Sequence, residues 1–81
     1  MKALVHVTLK KGVLDPQGGA IRQASASLGY EAVRGVRQGK LFEIEIEGDS
    51  EEGVRGQLDE LCQKLLANLV IEDYEIVRIE P

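Results

Sequence analysis

Aromatic residues are scarce in this sequence: one phenylalanine, Phe42, two tyrosines, Tyr30 and Tyr74, and no tryptophan. A sheet that reads single-stranded RNA needs exposed stacking rings and a basic surface. Neither is offered here, because 14 acidic residues outweigh 10 basic ones for a net charge of −4. The same balance argues against nucleic acid and anionic membranes as partners. Cysteine occurs once, as Cys62, so an internal disulfide is excluded. A lone thiol suits a reducing compartment. Histidine also occurs once, as His6, and without a second ligand or a nucleophile it reads as a side chain satisfied within the fold. Long apolar runs are missing. Met1 to His6 turns polar too soon for a signal peptide, and nothing approaches a membrane span. The expectation is a cytoplasmic protein.

What is present is a short, orderly chain of 81 residues, read as one domain over 1–81. A domain of this size buries a modest core, worth about 3–5 kcal/mol unless it is stapled. With disulfides and metal clusters excluded, assembly with further chains is the remaining route to robust stability.

Lys2 to Leu9 alternates with Ala3, Val5, Val7 and Leu9 on one face, the pattern of a strand. Asp15-Pro16 starts a helix: Asp15 caps free N–H groups and Pro16 fits the first helical position. The stripe Ala20, Ile21, Ala24, Leu28 follows, and Gly29 supplies a left-handed end. Ala32 to Val36 is read as a weak second strand, joined through a tight hairpin at Arg37-Gln38-Gly39-Lys40 to a third strand, Leu41 to Glu47. Asp49 or Ser50 caps a second helix with the stripe Val54, Leu58, Leu61, Leu65, Leu69. Ile71 to Glu80 is the last strand. The order β-α-β-β-α-β predicts an α+β ferredoxin-like sandwich: a four-stranded antiparallel sheet with the first strand central and two helices on one face. The opposite face would carry Leu4, His6, Thr8, Glu43, Glu45, Arg34, Ile76 and Arg78, with Val77 and Ile79 in the core. That mixed surface suits either solvent, with cross-strand Arg–Glu pairs, or a polar subunit interface.

Candidate chemistry is thin. Cys62 beside the leucine stripe reads as a small buried hydrophobe. The acids at helix starts and along the third strand follow the macrodipole and the solvent face, so no catalytic or metal site is assigned. The basic pairs are more informative. Lys10 and Lys11 lie after the first strand, and Arg37 and Lys40 lie in the expected hairpin at the same end of the sheet. Together they would make a positive rim for a partner or a phosphate.

The run Val7-Thr8-Leu9-Lys10-Lys11-Gly12-Val13-Leu14-Asp15-Pro16-Gln17-Gly18, with Arg37-Gln38-Gly39-Lys40, closely resembles PurS, the family of small subunits of phosphoribosylformylglycinamidine (FGAM) synthase. The resemblance spans essentially the whole chain. It implies a place in purine biosynthesis, where a PurQ-like glutaminase releases ammonia and a large PurL-like synthetase uses ATP to amidate formylglycinamide ribonucleotide. The chain would be an accessory part of that carbon-nitrogen ligase. It would have no active site or cofactor of its own, ATP and Mg being used by the large subunit. It would form a homodimer or higher homo-oligomer that bridges glutaminase and synthetase. The expected partner-contact residues are Lys10, Gly12, Asp15, Pro16, Gly18, Arg37, Gly39 and Lys40. The alternative is an ACT-like module that binds a small molecule at the loop before the first helix. An acylphosphatase-like enzyme ranks below both, because the loop after the first strand offers no arginine to hold phosphate.

Overall fold

The computed structural model describes all residues, 1–81. The elements are β1 (Lys2–Leu9), α1 (Pro16–Ser27), β2 (Gly39–Glu45), α2 (Glu51–Leu61) continued by a π-helical turn (Cys62–Leu66), and β3 (Glu72–Glu80). The sheet is antiparallel, in the order β2-β1-β3. β1 is central because it is the strand with a fully apolar face: Ala3, Val5 and Val7 are buried.

α2 covers that face. Ser50 caps it, its hydroxyl accepting the Gly53 N–H at 3.1 Å, and Glu51 and Glu52 occupy the first turn, where negative charge is favoured. The buried ridge is Val54, Leu58 and Cys62, followed by Ala67. Of the expected stripe, Val54 and Leu58 are buried, whereas Leu61 is half-buried and Leu65 and Leu69 are exposed. The π turn, closed by the Ala67 N–H on the Cys62 carbonyl at 3.0 Å, rotates the end of the helix. Ala67 thus turns inward, while Leu65 stays exposed.

The sheet has three strands rather than four. Ala32 to Val36 is not a strand, and Arg37 to Lys40 is not a hairpin turn. Gly35 interrupts the run, and the segment is held to the start of α1 instead of to a sheet edge. Gly39 therefore does not supply a positive φ. It supplies space, since a Cβ there would lie 2.9 Å from His6 Nε2 and from the Val7 carbonyl oxygen.

β3 carries a bulge opposite Leu4 and Val5 that makes Val77 the extra residue. Ile76 and Ile79 consequently pack on the core, while Val77 is exposed, the reverse of the expected placing of Ile76 and Val77.

Only one helix lies on the sheet. Gly18 is the sole buried residue of α1. α1 and its flanking segments project as an arm, giving extents of 50 × 26 × 14 Å. No helix is long and apolar enough to cross a membrane.

Candidate docking latch at the root of the arm

β1 ends at Leu9, where the Lys10 N–H still donates to the Ile71 carbonyl at 2.8 Å. The chain then turns sharply. The Val13 N–H donates back to the Lys10 carbonyl at 3.1 Å, and Gly12 takes φ +89°, the left-handed conformation that the third position of such a turn requires.

Asp15 comes next and does two jobs. One carboxylate oxygen accepts the Gly18 N–H at 2.9 Å, capping α1, and the other accepts the Gln38 N–H at 2.7 Å. Pro16 opens the helix as expected. The backbone donors at Gln38 and Gly18, with a smaller contribution from Arg37, hold the Asp15 carboxyl below the ordinary carboxylate range.

Arg37 closes the return path. A single guanidinium nitrogen donates to the Leu9 carbonyl at 2.9 Å and to the Lys10 carbonyl at 3.0 Å. Gly18 completes the lock, because a Cβ there would collide with the Val36 carbonyl oxygen. Glycine in a first helical turn is locally costly, and here it permits a backbone to cross at contact distance.

Two of the three lysines of the rim, Lys10 and Lys40, are engaged, and Lys11 is exposed. Lys10 Nζ meets Asp73 at 2.6 Å, and Lys40 Nζ lies 3.9 Å from Glu72. A cleft of about 300 Å³ opens beside them, lined by Val7, Leu9, Pro16, Gln38, Lys40 and Glu72 among others.

All eight residues expected to make partner contacts thus fall at one end of the sheet. Asp15, Gly18, Arg37 and Gly39 serve to shape the chain itself. The sequence reading overlooked Gln38, Glu72 and Asp73. The two acids were legible, because an antiparallel last strand beside the first places its start against the end of β1. Gln38 contributes only a backbone N–H, which carries no side-chain signal.

Elsewhere, burial and the nearby Asp59 push the Cys62 thiol up. The chain holds no cluster of three or more His, Cys, Asp or Glu suited to a metal ion.

These features define a small α+β domain whose polar groups at one end of the sheet hold a loop and an arm in shape. The PurS family profile, described as phosphoribosylformylglycinamidine (FGAM) synthase, matches residues 2–80, and the chain belongs to that family. It is 49% identical over 75 residues to the PurS subunit of that synthase from Methanocaldococcus jannaschii, covering 93% of this chain and 90% of the relative. The crystal structure of M. jannaschii PurS, one of the subunits of formylglycinamide ribonucleotide amidotransferase, superposes with a TM-score of 0.86 at 47% identity over 98% of each chain. A chain of the PurLQS structure from Thermotoga maritima superposes with a TM-score of 0.85 at 26% identity, over 98% of this chain and 99% of that one. These matches do not favour the ACT-like alternative.

Proposed function

We propose that this chain is the accessory, non-catalytic subunit of phosphoribosylformylglycinamidine synthase. It associates with itself and holds a glutaminase and a large synthetase subunit together, so that ammonia passes between them. The observation that carries this reading is the near full-length likeness to a chain of the T. maritima PurLQS structure. The latch supports it, because a turn and an arm fixed by Asp15, Gly18 and Arg37 form a rigid projecting element, as docking requires. Lys10, Gly12, Pro16 and Lys40 lie on the surface of that element. ATP and Mg belong to the synthetase subunit, and the assembly works in the cytoplasm.

The test is reconstitution with the glutaminase and synthetase of the same organism. Glutamine-dependent amidation should require this chain, while ammonia-dependent amidation by the synthetase alone should not. Full glutamine-dependent activity without the chain would overturn the proposal. Lys10→Ala combined with Lys40→Ala should weaken co-elution of the three subunits, and unchanged co-elution would remove these lysines from the contact surface.

A further inference from the structure

Three of the five arginines have acceptors within the chain. Arg55 pairs with Glu51, Arg78 pairs with Glu80, and Arg37 donates to the Leu9 and Lys10 carbonyls. Arg22 and Arg34 have none. Neither guanidinium lies within 4.0 Å of a carboxylate or donates a hydrogen bond to the chain. Arg22 stands on α1, and Arg34 on the segment that returns toward β2. Both line one cleft of about 290 Å³, together with Gly18, Gly19, Gly35 and Arg37.

The segment that carries Arg34 is rich in free donors. The backbone N–H groups of Arg34, Gly35, Val36 and Arg37 donate to nothing within the chain. Glycine on both sides keeps the cleft open, since a Cβ added at Gly19 or Gly35 would meet nothing within 4 Å. Asp15 is the one acid on the lining, and its two oxygens already accept the Gly18 and Gln38 N–H groups. The Gly19 N–H is spent on the Asp15 carbonyl. The free donors are therefore the two guanidiniums and the returning backbone, not the helix start. In a chain of net charge −4, this lining carries three arginines against one carboxylate, a local field that favours an anion.

We propose that this cleft binds a phosphate group. Each guanidinium presents a planar fork that matches two oxygens. A carboxylate fills one fork, whereas a tetrahedral phosphate has oxygens for two forks and for backbone N–H groups besides. The volume suits the group alone, because sites for whole drug-sized ligands begin at about 300 Å³. Whatever the phosphate is attached to lies outside the cleft. Free inorganic phosphate and the phosphate ester of a sugar or nucleotide both supply this chemistry. Once bound, the group links α1 to the returning segment, a second tie beside the one made by Asp15. The inference concerns the chain by itself and does not rest on its assembly with other subunits.

Titration of the chain with inorganic phosphate at constant ionic strength, with chloride as control and proton–nitrogen correlation NMR as readout, tests it. Saturable shifts should appear at the Gly35 and Val36 amides and at the Nε–H groups of Arg22 and Arg34, with a Kd on the order of 1 mM. Arg22→Gln and Arg34→Gln, each checked for native far-UV circular dichroism, should each weaken binding at least about tenfold. Lys64→Gln removes another charge that has no acidic partner and should leave binding unchanged. Ribose 5-phosphate separates the two sources. Tighter binding than inorganic phosphate supports an ester, and equal or weaker binding supports free phosphate. Shifts that stay linear in phosphate, that spread to Lys64, or that persist when both arginines are replaced overturn the proposal. A chain that assembles with the glutaminase and synthetase but binds no phosphate overturns this inference alone. A chain that binds phosphate but does not assemble leaves it standing and removes the assembly function.

Discussion

The Asp15 carboxylate accepts the Gln38 backbone N–H at 2.7 Å, across 23 positions of sequence. Through that bond the loop after β1, the start of α1 and the approach to β2 become one unit. Its second oxygen caps the helix that projects as the arm.

Asp15→Asn should loosen this unit, because an amide presents one acceptor where the carboxylate presents two. The folded-state pKa of Asp15 lies below the ordinary 3.8. Its contribution is therefore present above that pH and is lost as pH falls through the lower folded value. Thermal melts should show the variant less stable than wild type at pH 7, with the gap narrowing below about pH 4. Hydrogen exchange at the Gln38 amide should quicken in the variant at pH 7.

The adjacent glycines separate two effects. Gly18→Ala drives a Cβ into the Val36 carbonyl and should cost about 1–3 kcal/mol. Gly19→Ala meets nothing within 4 Å on a helical backbone and should stabilise by about 0.5–1 kcal/mol. Urea unfolding of the pair should show opposite signs.

The helical stripe of α2 and the turn that continues it has a buried part and an exposed part. Leu58 is fully buried, so Leu58→Ala should cost about 2–5 kcal/mol. Leu65 is 73% exposed, and Leu65→Ala should change unfolding by no more than about 0.5 kcal/mol.

Burial also governs Cys62. Its thiol pKa is raised, first by desolvation and then by Asp59, so the folded chain keeps the proton that the unfolded chain releases. Stability should be level up to about pH 9 and decline above it. Thiol-specific labelling at pH 8 should be slow in buffer and fast in denaturant, and rapid labelling of the folded chain would contradict the burial.

Much of this was written locally. The Asp15-Pro16 start and the Gly29 end of α1 follow from donors and φ angles that neighbouring residues decide. At the far end the Gly29 N–H reaches the Ala26 carbonyl at 3.1 Å and the Tyr30 N–H the Ser25 carbonyl at 2.9 Å, with Gly29 at φ +97°. The apolar face of β1 likewise predicted its central place.

Three features were not legible in that way. Ala32 to Val36 has strand-like residues, yet Asp15 and Gly18 recruit its neighbourhood to the helix start. The stripe of α2 holds at Val54 and Leu58 but not at Leu65 and Leu69, because the π turn that redirects it depends on packing at Cys62 and Ala67. The bulge at Val77 turned Ile76 inward, and bulges are set by pairing with another strand.

The loop from Lys10 to Gly18 shows where the division falls. The sequence by itself determined its turn, its cap and its charge, because these depend on residues a few positions apart. Only the tertiary structure decided that Asp15, Gly18 and Arg37 clamp the returning chain and that α1 leaves its own sheet uncovered. Those outcomes rest on which distant backbone groups compete for the same donors, acceptors and apolar surface.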